Sequence, residues 1–122
     1  MITIKGQVGL GRKIGRTIGY PTINIPYDGD EQGVFAGKVF VDSMFVLAAI
    51  HLGPRPTFDD KEPICEAFLL DWEEEVSPGT MVEVEAYKKI RNIKKFKKLA
   101  ELKNQISKDV EFVKNWYNST SK

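Results

Sequence analysis

Hydrophobic and polar positions along this chain follow two periods, and the change comes near residue 96. Before it, short segments rich in β-branched and aromatic residues are bounded by turn formers, at 2–8, 33–41, 45–52, 64–71 and 81–90. A shorter one at 20–25 is interrupted by Pro21. All read as strands. In 81–90, Val82, Val84 and Ala86 fall on one side and Glu83 and Glu85 on the other, as in a strand with one wet face. Beyond the change, Phe96, Leu99, Leu102, Ile106, Val110, Val113 and Trp116 recur every three or four residues, which predicts an amphipathic helix over about 96–117. Lysines 94, 95, 97 and 98 stand where they would oppose the helix dipole, so they are expected in a preceding loop.

Two links carry turn chemistry. Asp42-Ser43-Met44 is short enough to make 33–41 and 45–52 an antiparallel hairpin. In Ser77-Pro78-Gly79-Thr80, proline presets φ and glycine accepts a positive φ, so the chain reverses between 64–71 and 81–90. Strands followed by one terminal helix, without alternation, exclude a doubly wound α/β fold. The pattern predicts a mainly β domain, a small antiparallel barrel over about 1–92 with the helix packed outside.

Length narrows this to one domain over residues 1–122. With 42% hydrophobic and 29% charged residues the composition is that of an ordinary globular protein. A formal charge of +1 supplies no global attraction for nucleic acid or an anionic membrane, and neither is expected as a partner. No apolar run approaches the roughly 20 residues of a membrane span. Met1-Ile2-Thr3-Ile4-Lys5 lacks the build of a signal peptide, and Cys65 has no second cysteine to pair with. A cytoplasmic monomer is the expectation.

Candidate chemistry begins with glycine. Gly6, Gly9, Gly11, Gly15 and Gly19 crowd one stretch, where they serve either a flexible turn or a backbone that approaches phosphate closely. The common nucleotide fingerprints are absent: three residues separate Gly11 from Gly15 where a dinucleotide motif has two, and there is no Gly-Lys-Ser/Thr. Thr22 and Asn24, spaced i, i+2, share one side of an extended segment, and Pro21 helps hold it extended. Glu66 shares a strand face with Ile64, Phe68 and Leu70; a carboxylate on such a face is paired, at a rim, or functional. His51 has no second ligand-type residue at metal spacing and reads as structural. Lys88, Lys89, Arg91, Lys94, Lys95, Lys97 and Lys98 read as one basic run without an acidic partner.

The stretch Gly6-x-Val8-x-x-Gly11-x-x-x-Gly15-Arg16-x-x-Gly19-Tyr20-Pro21-Thr22-x-Asn24 resembles the opening signature of riboflavin kinases. The resemblance continues through Gly33-Val34-Phe35-Ala36-Gly37, Gly53-Pro54-Arg55-Pro56-Thr57-Phe58, Cys65-Glu66-Ala67-Phe68-Leu69-Leu70-Asp71 and Ile90-Arg91-Asn92-Ile93-Lys94-Lys95-Phe96. It implies a six-stranded antiparallel Greek-key barrel with a C-terminal α-helix packed outside. It also implies transfer of the ATP γ-phosphoryl, with Mg²⁺, to the 5′-hydroxyl of riboflavin, giving FMN and ADP. Carried over residue by residue, Thr22 and Asn24 become metal and phosphate ligands and Glu66 the catalytic base. Gly11, Gly15, Gly19 and Pro21, with Lys13 or Arg16, would line the nucleotide side, and Arg91 would fall in a flap over the flavin. The chain departs from the family pattern at Phe68, where a His is frequent, at Val76-Ser77-Pro78-Gly79, and at Arg55, where Asn is often seen. By this reading none of the three touches the metal pair or the base. Relatives in bacteria commonly add an adenylyltransferase domain; nothing precedes Met1, so FAD synthesis is not expected.

Overall fold

The computed structural model describes residues 1–10 and 19–120. Six strands form one antiparallel sheet: β1 (Ile2–Gln7), β2 (Thr22–Pro26), β3 (Gly33–Val41), β4 (Met44–Arg55), β5 (Asp60–Leu69) and β6 (Met81–Arg91). They lie in the order β1-β6-β3-β4-β5-β2, and among the described residues one α-helix, α1 (Leu99–Thr120), follows. The sheet curls until its two edges meet. At that seam the Gly9 N–H donates to the Asn24 carbonyl (2.8 Å), and the Cβ of Ile25 lies 3.4 Å from where a Cβ on Gly6 would sit.

Strand alternation builds the interior. Ile23 and Ile25, Val39 and Val41, Ala48, Ile50 and Leu52, Cys65, Ala67 and Leu69, and Val82, Val84 and Ala86 turn inward from five strands and form one core. Small and β-branched side chains suit the tight curl. Gly37 answers a closer approach: a Cβ there would lie 2.0 Å from the Glu85 carbonyl oxygen, at a bulge between β3 and β6. The hairpin between β3 and β4 is tighter than its sequence suggests. Asp42 and Ser43 alone make the turn, both with positive φ, and Met44 already pairs with Val41.

At Ser77–Thr80 the turn forms as expected, with Gly79 at φ +89° and the Thr80 N–H donating to Ser77 O (3.2 Å). It does not join neighbours, because β3 and β4 stand between β6 and β5 in the sheet. The connection instead crosses the barrel end, where Trp72 and Val76 pack against the core.

Outside the barrel, α1 lies over β3 and β4. Ala36 and Ala49 let it come close, and Leu102, Ile106, Val110 and Val113 fill the space with Phe68, Leu70 and Phe96. Each such buried aliphatic side chain contributes roughly 1.5–3 kcal/mol. The helix starts at Leu99 rather than 96, and the Lys98 carbonyl accepts its first bond from Leu102 N (3.3 Å). Lysines 94, 95, 97 and 98 thus precede the helix, as expected, with Lys98 directly before Leu99. None of the described helices is long and apolar enough to cross a membrane.

Candidate active site

The outward face of the barrel under α1 carries a row of residues fixed by strand register. Asn24 on β2 pairs with Glu66 on β5, which pairs with His51 on β4; His51 pairs with Val34 on β3, and Val34 with Arg91 on β6. Register partners share a sheet face, so residues up to 67 positions apart in sequence line one surface. Asn24 and Glu66 are each only 5% exposed.

Arg55 joins the first two. Its Nη1 donates to Asn24 Oδ1 at 3.4 Å and to Glu66 Oε2 at 3.2 Å, and the residue is 8% exposed. Local backbone explains its aim. Gly53 takes φ +122°, β4 and β5 slip register between Gly53 and Arg55, and Pro56 then opens a single 3₁₀ turn over Pro56–Phe58. A bulge of this kind re-aims the side chain that follows it. The expectation that none of the three departures touches the metal pair or the base therefore fails for Arg55. Two charges buried this way compensate each other.

His51 sits within β4 rather than at its end, and its Nε2–H donates to the Pro54 carbonyl (2.7 Å). Burial first, then the nearby Arg91 and Arg55 charges, push its pKa below the ordinary histidine value, against the Pro54 bond. A neutral imidazole facing the site is the result. Phe68 turns to the helix cluster, so the histidine on this face comes from β4 instead of β5.

Arg91 closes the far end of the row. Its Nε and Nη2 grip Asp109 of α1 at 3.0 and 2.8 Å, Gln105 Nε2 donates to the same carboxylate (3.0 Å), and Asp109 is 2% exposed. The guanidinium clamps the helix to the barrel and faces the Phe96 ring (5.8 Å). The basic run does have acidic partners, since Lys95 also meets Asp59 (3.4 Å). They come from elements far away in sequence, which composition could not show.

Between row and helix lies a cavity of about 40 Å³, lined by His51, Arg55, Glu66, Phe68, Arg91 and Phe96 among others. Glu66 is its buried carboxylate on the barrel side. On the other side of Glu66, toward β2, two described residues flanking the glycine-rich stretch are hydrogen-bonded: the Gly9 N–H donates to the Asn24 carbonyl, and the Leu69 N–H to Pro21 O (2.9 Å). Gly19 takes φ +92° with open space where a Cβ would be. Gly11, Lys13, Gly15 and Arg16 lie outside the described residues. Thr22, Asn24 and Glu66 are brought together; Arg91 is placed three strands from Glu66, in the clamp. In the sequence Arg55 reads as a departure, His51 as structural, and Asp109 carries no assigned role, although it falls on the apolar stripe of the helix between Ile106 and Val113.

Thr22 and Asn24 offer hard, neutral oxygens, and a carboxylate stands across the strand pair. Among the described residues no cluster of three or more His, Cys, Asp or Glu forms a cage. That donor set fits Mg²⁺ arriving with phosphates and water, since Mg²⁺ takes few ligands from protein in such sites.

Comparison with known proteins follows the same line. A family profile described as Flavokinase: Riboflavin kinase matches residues 1–117. A bifunctional riboflavin kinase/FMN adenylyltransferase of Haemophilus influenzae is 42% identical over 95% of this chain, and the chain spans 39% of its length. The Bacillus subtilis protein of the same description is 36% identical over 98% of this chain, with 40% of its own length covered. An RNA-binding riboflavin kinase of Bacillus subtilis is 33% identical over 93%, with 50% covered. A crystal structure described as a macrolide-efflux protein from Streptococcus pneumoniae superposes with a TM-score of 0.79 at 31% identity, covering 93% of this chain and 38% of that one. The profile, the relatives and the barrel with its outer helix agree, and the chain belongs to the riboflavin kinase family.

Proposed function

We propose that this chain transfers the γ-phosphoryl group of ATP to the 5′-hydroxyl of riboflavin, giving FMN and ADP. The observation that carries the reading is the pairing of Asn24 with Glu66 across β2 and β5, with both side chains buried on one face. Phosphoryl transfer needs a nucleotide side, an acceptor side and a proton acceptor between them. The glycine-rich stretch and Thr22–Asn24 supply the first, and the aromatic cavity under α1 the second.

Glu66 stands at the boundary. Its carboxylate accepts the 5′-hydroxyl proton as the oxygen attacks, and in-line placement by the two sides contributes the rest. Thr22 and Asn24 would hold Mg²⁺, which when bound neutralises charge on the phosphates. The cavity of about 40 Å³ holds no more than a few waters. A flavin ring needs a pocket of several hundred Å³. Lys94, Phe96 and α1 therefore have to swing away from the barrel as the flavin enters, and the Arg91–Asp109 clamp resists that movement.

Riboflavin, ATP, FMN and ADP are the partners this reading requires. RNA binding, named for one relative, is not carried over, because half of that relative lies outside the match. Incubation with riboflavin, ATP and Mg²⁺ should yield FMN. Tight flavin or ADP binding without FMN would mean an inert binding module of the same fold. Asn24→Ala should weaken Mg-nucleotide affinity far more than riboflavin affinity in titration calorimetry; equal losses would count against the ligand assignment.

A further inference from the structure

The mechanism above leaves Arg55 unused, yet its guanidinium touches both a nucleotide-side ligand and the base. Its bonds to Asn24 (3.4 Å) and Glu66 (3.2 Å) are longer than the 2.7–2.9 Å of a tight charge-assisted bond. Arg91 holds Asp109 differently, with bidentate contacts down to 2.8 Å. Arg55 bridges Asn24 and Glu66, which face each other across β2 and β5. On the kinase reading this junction lies between a nucleotide anchored at Asn24 and a hydroxyl facing Glu66.

We infer that Arg55 is the cation that binds the γ-phosphoryl group, its guanidinium passing from Glu66 to the phosphoryl oxygens as the nucleotide seats. The inference rests on the kinase reading for its chemistry. As the guanidinium turns to the phosphoryl oxygens, the Glu66 carboxylate accepts the hydroxyl proton. The bond from the γ-phosphorus to the β-phosphate oxygen breaks and its electron pair leaves with ADP. A bond forms from the 5′-oxygen to the γ-phosphorus, and the hydroxyl proton goes to Glu66. Arg55 neutralises charge on the moving group throughout, the role that fixed cations have in this class of reaction. Its planar fork suits two phosphoryl oxygens at once, which lysine cannot match. The bulge at Gly53, which aims the side chain across β5, thereby becomes part of the catalytic apparatus.

The test compares wild type, Arg55→Gln and Arg55→Lys by calorimetric titration with Mg-ATP and with Mg-ADP, and by the rate of FMN formation. Wild type should prefer ATP to ADP. Arg55→Gln should lose about tenfold or more of that preference while ADP affinity changes little, and kcat should fall on the order of 10²-fold. Arg55→Lys keeps a cation beside Glu66, so it reports even if Arg55→Gln does not fold; it should retain part of the preference and of the rate. ATP and ADP affinities that fall together, or a kcat within about threefold of wild type in both variants, would overturn the inference. So would a wild type that binds neither nucleotide. An Arg55-dependent preference for ATP in a protein that makes no FMN would sink the kinase reading and leave this inference standing.

Discussion

Strand β5 presents two faces with opposite chemistry. Cys65, Ala67 and Leu69 turn into the barrel, into its hydrophobic core, while Glu66, Phe68 and Leu70 turn out under α1. The inner face holds no charge: burial pushes the Cys65 thiol up to about 12, which keeps it protonated and inert. On the outer face Glu66, Arg55, Asp109 and Arg91 are buried or nearly so, and each is matched. The inner face needs only volume and shape. The outer face needs geometry, since a displaced partner leaves a buried charge uncompensated. Stability and chemistry are thus separated across the thickness of a single strand.

Mutation can break that comparison. Leu69→Ala on the inner face should cost about 2–5 kcal/mol in urea denaturation, through lost transfer energy and a cavity. Below the transition its kcat for FMN should stay near wild type; a collapse of kcat with the fold intact would mean the two faces are not separable. On the outer face, Asp109→Asn keeps the shape of the helix but removes the charge that holds Arg91. Because Arg91 is partly exposed, we expect a smaller loss of about 1–3 kcal/mol. Riboflavin should then enter faster in stopped-flow fluorescence, since the clamp over the cavity is weakened. An unchanged entry rate would break the link between clamp and pocket.

The smallest effect is that of pH. His51 titrates below its ordinary value of 6.5 in the folded chain. The unfolded state then binds more protons between the two values, so stability is present above 6.5 and is lost as pH falls through the folded pKa. Replacing His51 with Asn should flatten the melting temperature of the protein between pH 7 and pH 5 relative to wild type. A parallel pH dependence in both proteins would assign the slope to other groups.

Much of this was legible in the sequence. Alternation in 81–90 and 64–71 reads directly as strand faces, and the 3.6 period after residue 96 reads as a helix, because burial imposes those periods. Glu66 stood out as a carboxylate among Ile64, Phe68 and Leu70. Strand order was not legible: the turn at Ser77–Thr80 looks the same whether it joins neighbours or crosses a barrel end. Nor was the aim of Arg55, because a one-residue slip at Gly53 decides it and no period reports such a slip. The Arg91–Asp109 pair joins positions 18 residues apart on different elements, so no local pattern marks it.

In the proposed reaction Glu66, on the outer face, takes the proton during transfer. Single-turnover FMN formation in wild type and Glu66→Gln tests it most directly, with riboflavin and Mg-ATP binding measured on the same samples. Both ligands should bind and FMN formation should slow by at least about 10²-fold, as loss of a general base requires. FMN formed by Glu66→Gln at the wild-type rate would contradict it.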